Sequence, residues 1–426
     1  MKKLQFLSII TIVMIFSFSG VAPGFAKGPP PEYYIDESRL PFDALPDTDT
    51  NRYWGVHSGA GYRIEVPDNW NGELVLYCHG YRGNGLELYV SNPSIRGYLV
   101  KNGYAWAASS YSKNTYEVKA GVKDTHALAM FFNGLVGKPI RRYIIGHSMG
   151  GHITAVSIEQ YRNLYDGALP MCGVMGDNEL FDYFMDYHLV ALYLTGMDVE
   201  PPFPEDYSTV TVPAMKTILG PVAWPALLSP AGQKLKTALK YLSGGDRPIY
   251  DVGFIFYADF LFTQIMDPDT VENMNTFYHL DDNVAEISEE EAILNDEIYR
   301  DDALPKARKP NGLANVPVIS GNIPIPVLSM HTLGDLFVPF VMQQIYAERV
   351  AARGKSDLLV QRAIRDAGHC GFNTDEQVEA FMDLVLWVED SIRPEGDNVL
   401  DPDVVDDWDY GCNFTLEDRA YAAPCP

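Results

Sequence analysis

The stretch RRYIIGHSMGGHITAVSIEQY, residues 141–161, combines a strand, a glycine-flanked turn and a helix. RRYII is typical of a buried strand, GHITAVSIEQY has the composition of a helix, and the residues between them fit the pattern G-x-S-x-G. In such a sharp turn the hydroxyl of Ser148 is exposed, and Gly146 and Gly150 lack side chains that would collide there. The N-terminus of the helix directs N–H groups at an anion formed during attack. The stretch therefore predicts Ser148 as a nucleophile, with an ordinary serine in a tight turn as the alternative.

Short apolar runs alternate with helical segments on both sides of this stretch. The alternation predicts an α/β fold with a mostly parallel central sheet flanked by helices. The runs that read as strands are YRIEVP (62–67), ELVLYC (73–78), NGYAWAASSYS (102–112), DGALPMCGV (166–174), IPVLSM (325–330) and DLLVQRAI (357–364).

The alternation also predicts where the chain divides. It breaks at about Met175, and a helical, irregular and aromatic-rich stretch follows. We therefore expect one sheet domain, residues 51–174 and 316–396, interrupted by a cap or lid over residues 175–315. Residues 27–50, rich in Pro and Asp, predict an extended N-terminal arm. The acidic residues 397–426 predict a solvated surface tail; they could bind calcium, but no EF-hand spacing is present.

The first residues have the layout of a signal peptide. Lys2 and Lys3 precede an apolar run over residues 4–18, and Gly24-Phe25-Ala26 offers a cleavage point, so residues 1–26 are expected to be removed. The apolar run is shorter than the roughly 20 residues that a spanning helix needs. We therefore expect a secreted protein, extracellular or periplasmic, with no membrane span once mature; the alternative is an uncleaved anchor.

Composition limits the partners of the chain. The 426 residues are 47% hydrophobic, as in a globular protein, and carry a formal net charge of −25. Nucleic acid and anionic lipid both require a positive field, so neither is expected as a partner. The oligomeric state does not follow from the sequence.

The base and the acid that a serine nucleophile needs are expected after later strands, in the order serine, acid, histidine. Asp335 in HTLGDLFVP follows the strand IPVLSM, and His369 in DAGHCGF follows DLLVQRAI. Both are expected at the carboxyl edge of the sheet, where Ser148 lies. Asp366 follows the same strand as His369 and is interpreted as a turn residue, and His331 as a packing residue.

An oxyanion hole needs two N–H donors. One is predicted to be the backbone N–H of Met149, which follows Ser148. The other is predicted in the loop HGYRGNG after the strand ELVLYC, with the N–H of Tyr81 as the first choice and that of Gly80 as the alternative. A plain glycine-rich turn would have the same composition.

Five cysteines are present, so at least one lacks a partner within the chain. Cys412 and Cys425 flank a short loop and form the simplest disulfide to propose. Cys370 is expected near the ends of the strands that carry Cys78 and Cys172. A disulfide to one of these two could brace the histidine loop; a buried free thiol is the simpler alternative.

No metal and no cofactor are expected. The adjacent His369 and Cys370 do not usually bind one metal together, and no H-E-x-x-H or C-x-x-C supplies further ligands. His147 and His152 are five residues apart, which does not align them on one helix face. No G-x-x-x-x-G-K-[ST] is present for nucleotide binding.

Taken in order, HGY, GHSMGG, GDLFVP and GHCGF resemble the motifs of the α/β-hydrolase superfamily. The resemblance covers about residues 61–392 except the cap, and it implies the α/β-hydrolase fold and a Ser-His-Asp triad. A large cap and a cysteine directly after the histidine are also similar to the tannase and feruloyl-esterase family. That family pairs this cysteine with one beside its serine. Here His147 precedes Ser148, so the pairing does not carry over.

Three functions are compatible with these observations. The first is a secreted serine hydrolase that cleaves small-molecule or polymer-linked carboxylic esters, with an apolar or aromatic part of the substrate held under the cap. The second uses the same triad on amides or peptides. The third is a non-catalytic binding module on this fold, which usually loses a triad member, whereas all three are present here. The natural substrate does not follow from the sequence.

Overall fold

The computed structural model describes residues 32–305, 307–308 and 316–426. The expected signal peptide, residues 1–26, lies outside the described residues, as do residues 27–31 of the expected arm and residues 306 and 309–315 of the expected cap.

An eight-stranded sheet forms the centre of the described part of the chain. We number its strands in chain order: β1 (Thr50–His57), β2 (Ala60–Pro67), β3 (Glu73–Cys78), β4 (Ala105–Ser109), β5 (Arg141–His147), β6 (Gly167–Met171), β7 (Val327–Thr332) and β8 (Leu359–Ile364). Their order across the sheet is β1-β2-β4-β3-β5-β6-β7-β8. The pairs β1–β2 and β2–β4 are antiparallel and the other pairs are parallel. This is the α/β-hydrolase fold.

Helices cover both faces of the sheet. We number them α1 (Arg96–Lys101), α2 (Val118–Leu135), α3 (Met149–Gln160), α4 (Glu179–Thr195), α5 (Val212–Leu219), α6 (Pro230–Leu242), α7 (Tyr250–Leu261), α8 (Glu289–Glu297), α9 (Val341–Ala352), α10 (Thr374–Asp390) and α11 (Pro402–Val405). Apolar residues of α2, α3 and α9 belong to the core on one face, and those of α1 and α10 to the core on the other.

Central strands are apolar on both sides because both faces are covered. In β5, Ile144 belongs to the first core, whereas Tyr143 and Ile145 belong to the second. Successive side chains of a strand point to opposite faces, so a strand between two layers of helices has no polar side. Such strands therefore read as continuous apolar runs in the sequence.

The chain between β6 and β7 contains α4–α8 and much irregular structure. Helix α4 packs against α5 and α6, while α7 lies against the loop that follows β7. A Cβ atom on Gly253 of α7 would lie 2.1 Å from the carbonyl oxygen of Gly334, so backbone meets backbone at this contact. Among the described residues, the helices are all too short or too polar to traverse a bilayer.

The C-terminal segment is not the solvated surface tail expected from its composition. Val399, Val405 and Tyr410 are buried in a core that they share with Leu333 and Phe340. The side chain of Asp397 accepts a hydrogen bond from the backbone N–H of Ala363 in β8, at 2.7 Å. Most of the acidic side chains are exposed, but a few apolar anchors hold the segment along the edge of the sheet.

The segment before β1 is also partly packed rather than only an extended arm. Leu40 and Phe42 are buried, and Tyr34–Ile35 pairs with Glu87–Leu88 as a two-residue strand. Arg63 on β2 donates to the backbone oxygens of Arg39 and Leu40, at 2.8 Å each. The sheet itself begins at Thr50.

Candidate functional site

Ser148 lies in the turn between β5 and α3, with φ 58° and ψ −123°. Its backbone N–H donates to the carbonyl oxygen of Met171 at the end of β6, at 2.9 Å. A Cβ atom on Gly146 would lie 2.2 Å from the carbonyl oxygen of Gly150, and one on Gly150 would lie 2.1 Å from that of Cys78. Real Cβ atoms do not approach backbone so closely, so this turn requires glycine at both positions.

Ser148, His369 and Asp335 form one chain of hydrogen bonds. His369 Nε2 is 2.8 Å from Ser148 Oγ, and His369 Nδ1 is 2.6 Å from Asp335 Oδ2. A carboxylate can only accept, so Nδ1–H donates to Asp335, which leaves Nε2 as the ring nitrogen that can accept from the serine hydroxyl. The structure thus brings together the three residues that the sequence predicted as nucleophile, acid and base, from the loops after β5, β7 and β8.

The carboxylate of Asp335 is held in one orientation. It is fully buried, and its Oδ1 accepts from the backbone N–H groups of Phe337, at 2.9 Å, and Val338, at 3.0 Å. Oδ2 is left to face His369. Two fixed donors on one oxygen leave the other oxygen aimed at the imidazole, as the orienting member of a triad requires.

The rival residues of the sequence analysis have other partners. Asp366 accepts from the N–H of Gly368 at 2.6 Å and forms an ion pair with Arg419, also at 2.6 Å. His331 is buried, and its Nε2 donates to the carbonyl oxygen of Val338 at 2.7 Å. Asp366 is thus a turn residue and His331 a packing residue, as interpreted from their positions.

The loop after β3 passes directly beside Ser148. A Cβ atom on Gly80 would lie 3.1 Å from the Cβ atom of Ser148. The phenol of Tyr111 donates to the carbonyl oxygen of His79 at 3.0 Å, and the two rings stack at 4.0 Å, which holds the loop in place. Met149 is the first residue of α3, where backbone N–H groups lack partners within the helix. The assignment of the Met149 and Tyr81 N–H groups, or that of Gly80, as oxyanion donors stays a prediction.

All five cysteines lie in the described part of the chain, and four of them are paired. Cys412 and Cys425 form the expected disulfide. Cys370 is bonded to Cys172, which leaves Cys78 as the buried free thiol. Burial raises the pKa of Cys78 to about 12. The disulfide alternative for Cys370 is therefore the one found, and it ties the histidine loop to the end of β6.

Cys172, Cys370 and His369 are the residues that come closest to a metal-ligand cluster at this site. Their ligand atoms lie within 4.8 Å of one another. The two sulfur atoms are joined in the disulfide, and only a thiolate is a good metal ligand. This cluster therefore gives no reason to place a metal here.

His147, which precedes Ser148, is hydrogen-bonded to helix α10. Its ring is partly buried, Nε2 lies 3.1 Å from Oε1 of Gln377 on α10, and Tyr77 contacts it edge-on at 5.8 Å. Burial lowers the pKa of His147 to about 4, so the ring is neutral at pH 7. The side chain thus serves to anchor the turn to α10.

Helix α7 supplies a contact to His369 that the sequence did not predict. The phenol oxygen of Tyr257 accepts from the backbone N–H of His369 at 2.6 Å. Phe260 packs edge-on against Phe337 at 4.9 Å, and Phe337 packs in the same way against the His369 ring at 5.0 Å. The tyrosine is 112 positions from His369, and an aromatic residue in an aromatic helix carries no local signal for such a role.

Comparison with known proteins gives distant structural likeness only. No family model matches the chain, and no curated protein matches it either. Acylaminoacyl peptidase from Pyrococcus horikoshii is 11% identical with a TM-score of 0.40; the match covers 83% of this chain but only 43% of the peptidase. Feruloyl esterase B from Aspergillus oryzae is 12% identical with a TM-score of 0.44, and 86% of each chain is covered. The rice cell wall degrading esterase LipA from Xanthomonas oryzae is 12% identical with a TM-score of 0.36, over 78% of this chain and 85% of that one. At these values the likeness carries no argument about what this chain does.

Proposed function

We propose that the protein is a serine hydrolase that cleaves carboxylic esters. The observation that carries the proposal is the unbroken hydrogen-bond chain from Ser148 through His369 to Asp335. A nucleophile, a base and an orienting acid at hydrogen-bond distance are what covalent acyl transfer needs.

In the proposed reaction, Ser148 Oγ attacks the ester carbonyl carbon while its proton passes to His369 Nε2. The tetrahedral oxyanion is stabilised by the backbone N–H groups of Met149 and Tyr81. The C–O bond to the alcohol then breaks, and the proton on Nε2 passes to the leaving oxygen. Water repeats the sequence on the acyl-enzyme and releases the acid, while Asp335 keeps the imidazole in the right tautomer and stabilises its protonated form.

We infer that an apolar or aromatic part of the ester lies against the residues between β6 and β7. Phe260 of α7 contacts Phe337, which follows β7 and contacts the His369 ring; both phenylalanines are partly exposed and supply an aromatic surface next to the proposed base. Aromatic side chains favour apolar and aryl groups through burial and ring contacts. Two disulfides support a place of action in an oxidising compartment, since such bonds are rare where thiols are kept reduced.

The test uses a fluorophosphonate probe and a substrate panel. The probe should label Ser148 in the wild-type protein and leave Ser148→Ala unlabelled, with tryptic mass mapping to place the adduct. p-Nitrophenyl esters of increasing acyl length and aryl esters should be turned over faster than aminoacyl-anilides. A folded wild-type sample that resists labelling would contradict the serine mechanism, and faster anilide cleavage would replace the esterase by an amidase.

A further inference from the structure

The loop that carries His369 is held at both ends by one side chain of the C-terminal segment. This loop runs from the end of β8 at Ile364 to the start of α10 at Thr374. Arg419 Nε donates to Asp366 Oδ2 at 2.6 Å, and its Nη2 donates to both carboxylate oxygens of Glu376, at 3.0 and 3.1 Å. A single guanidinium thus links Asp366, near the start of the loop, to Glu376 in the first turn of α10.

The carboxylates of Asp366 and Glu376 also accept hydrogen bonds from the backbone of the loop. Asp366 Oδ1 accepts from the N–H of Gly368 at 2.6 Å. Glu376 Oε2 accepts from the N–H of Asn373 at 2.9 Å as part of the capping box that begins α10. Arg419 Nη2 also donates to the carbonyl oxygen of Gly371 at 3.2 Å. The backbone on either side of His369 is therefore connected to one cation.

The ion pairs are largely shielded from solvent, so water cannot readily take the place of a lost partner. The side chain of Glu376 is fully buried, and those of Asp366 and Arg419 are 11% and 12% exposed. A buried carboxylate that loses its cation is strongly disfavoured, and the loop must move to hydrate it. Such a movement would displace the imidazole from Ser148 Oγ.

The segment that carries Arg419 is itself fixed in place. The disulfide Cys412–Cys425 closes a loop around Arg419. Within this loop the phenol oxygen of Tyr421 accepts from the N–H of Ala367 at 3.3 Å, and the Tyr421 ring contacts Phe256 of α7 edge-on at 5.8 Å. The guanidinium is therefore presented to the histidine loop by a closed and anchored element.

We propose that Arg419 is a positioning residue for His369, and that the C-terminal loop closed by Cys412–Cys425 exists to hold it there. The inference rests on the proposed function, because it assigns a catalytic consequence to the position of His369. A positioning role differs from a role in stability alone, because the guanidinium affects turnover by fixing where the loop places His369.

A matched ion pair at the opposite side of the sheet supplies the control. Arg96 pairs with Glu65 through Nε at 2.6 Å and Nη2 at 2.8 Å, and its exposure (12%, with Glu65 at 0%) equals that of the Arg419–Glu376 pair. Glu65 lies on β2, six strands away from β8 in the sheet. Arg96→Met should therefore lower the thermal midpoint as Arg419→Met does, without touching the histidine loop.

The experiment measures kcat, KM and the thermal midpoint of Arg419→Met, Arg419→Lys and Arg96→Met with a p-nitrophenyl ester, well below the unfolding temperature. We expect kcat of Arg419→Met to fall about 10- to 100-fold, as misplacement of a catalytic group by an ångström does, with KM within about twofold of wild type. Arg419→Lys keeps the positive charge but loses the planar set of guanidinium donors that contacts both carboxylates, so it should give an intermediate kcat. Arg96→Met should keep the wild-type kcat.

Two further variants keep the outcome decisive. If Arg419→Met does not fold, Cys412→Ser/Cys425→Ser opens the C-terminal loop without removing a charge and should also lower kcat with KM unchanged. A wild-type kcat in a folded Arg419 variant, or an equal loss in Arg96→Met, would overturn the positioning role. Ser148→Ala separates this from the proposed function: activity retained there defeats the mechanism, whereas loss there with normal Arg419→Met defeats only this inference.

Discussion

Ser148 is a non-glycine residue in a backbone conformation that L-amino acids rarely adopt, with φ 58°. Such a conformation costs on the order of 1–3 kcal/mol and persists only where the surroundings enforce it. Here the enforcement comes from the hydrogen bond to Met171 and from the close backbone contacts at Gly146 and Gly150. The strain holds the hydroxyl at the carboxyl edge of the sheet, within reach of His369.

Asp335→Asn should remove turnover while leaving the fold intact. The amide oxygen would take the place of Oδ1, which accepts from two backbone N–H groups, and the NH₂ group would face His369 Nδ1. An NH₂ group can only donate, so the imidazole would adopt the other tautomer, with its proton on Nε2 and facing Ser148. The serine would then lack a base, and we expect kcat to fall about 10⁴-fold. Steady-state kinetics with circular dichroism as the folding control would check this. A variant that keeps a tenth of the wild-type kcat would exclude Asp335 as the orienting acid.

The buried carboxyl group of Asp186 on α4 should make the free energy of unfolding depend on pH. It is buried and accepts from the phenol of Tyr278 at 2.6 Å, and burial raises its pKa to about 8. The folded state keeps the proton that the unfolded chain loses near pH 4, so this contribution to stability is full below that pH and is lost as the pH rises to 8.

Asp186→Asn should abolish this term because the amide does not titrate. The free energy of unfolding of the variant relative to wild type should therefore increase between pH 5 and pH 8, by up to about 1.4 kcal/mol per pH unit. Urea unfolding at several pH values in this range would measure it. A difference that stays constant across the range would show that Asp186 does not retain its proton in the folded protein.

At the scale of elements, the strand–turn–helix unit of β5, Ser148 and α3 is intolerant of any added atom. Gly150→Ala would place its methyl group 2.1 Å from the carbonyl oxygen of Cys78, so backbone would have to move. We expect the free energy of unfolding to fall by about 3 kcal/mol or more, with loss of turnover.

Gly134→Ala in α2 is the matched control for that substitution. A Cβ atom there meets nothing within 4 Å, and the residue lies in the last turn of the helix, where alanine is favoured by up to about 0.5–1 kcal/mol. The two alanine variants should therefore shift the urea midpoint in opposite directions. The same sign for both would mean that the turn can relax around a methyl group.

The elements that the sequence revealed are those buried on both faces. Strands β3, β4, β5 and β6 are largely apolar runs and were recognisable from them; β7 and β8 were recognisable although they include buried polar residues such as Ser329 and Arg362. Strand β1 was not, because it is an edge strand with exposed apolar side chains: Trp54 is 42% and Val56 45% exposed. Because Trp54 and Val56, two positions apart, are both exposed, the apolar side chains of β1 do not mark a buried face, and the strand shows no clear apolar–polar alternation.

The residues of the candidate site that directly follow a strand were predictable from the order of strands along the chain. The residues that reach the site from other segments were not. Ser148, Asp335 and His369 each follow a recognisable strand, and parallel strands end at the same edge. Tyr257 and Arg419 contact the histidine loop from distant segments whose local composition, aromatic or acidic, points to packing and to solvent. The choice of Cys172 over Cys78 as the partner of Cys370 likewise depends on the order of strands in space.

At the scale of the whole molecule, the disulfide Cys172–Cys370 joins the end of β6 to the loop after β8. The two cysteines are 198 positions apart, and the chain between them includes α4–α9 together with β7 and β8. A cross-link across such a long loop removes much of the freedom of the unfolded chain. In the chain-entropy model it contributes about 5 kcal/mol, against about 3 kcal/mol for a loop as short as that of Cys412–Cys425, with a separation of 13.

Cys172→Ser/Cys370→Ser should therefore lower the free energy of unfolding more than Cys412→Ser/Cys425→Ser does. It should also lower kcat, because Cys370 directly follows His369 and its bond fixes the loop to the end of β6, beside Ser148. Urea unfolding without reductant would rank the two variants. Iodoacetamide would verify the pairing beforehand: the native protein should resist labelling and the unfolded one should take up one label, on Cys78, whose thiol is buried. The reverse ranking would contradict the chain-entropy argument, in which the longer cross-linked loop contributes more to stability.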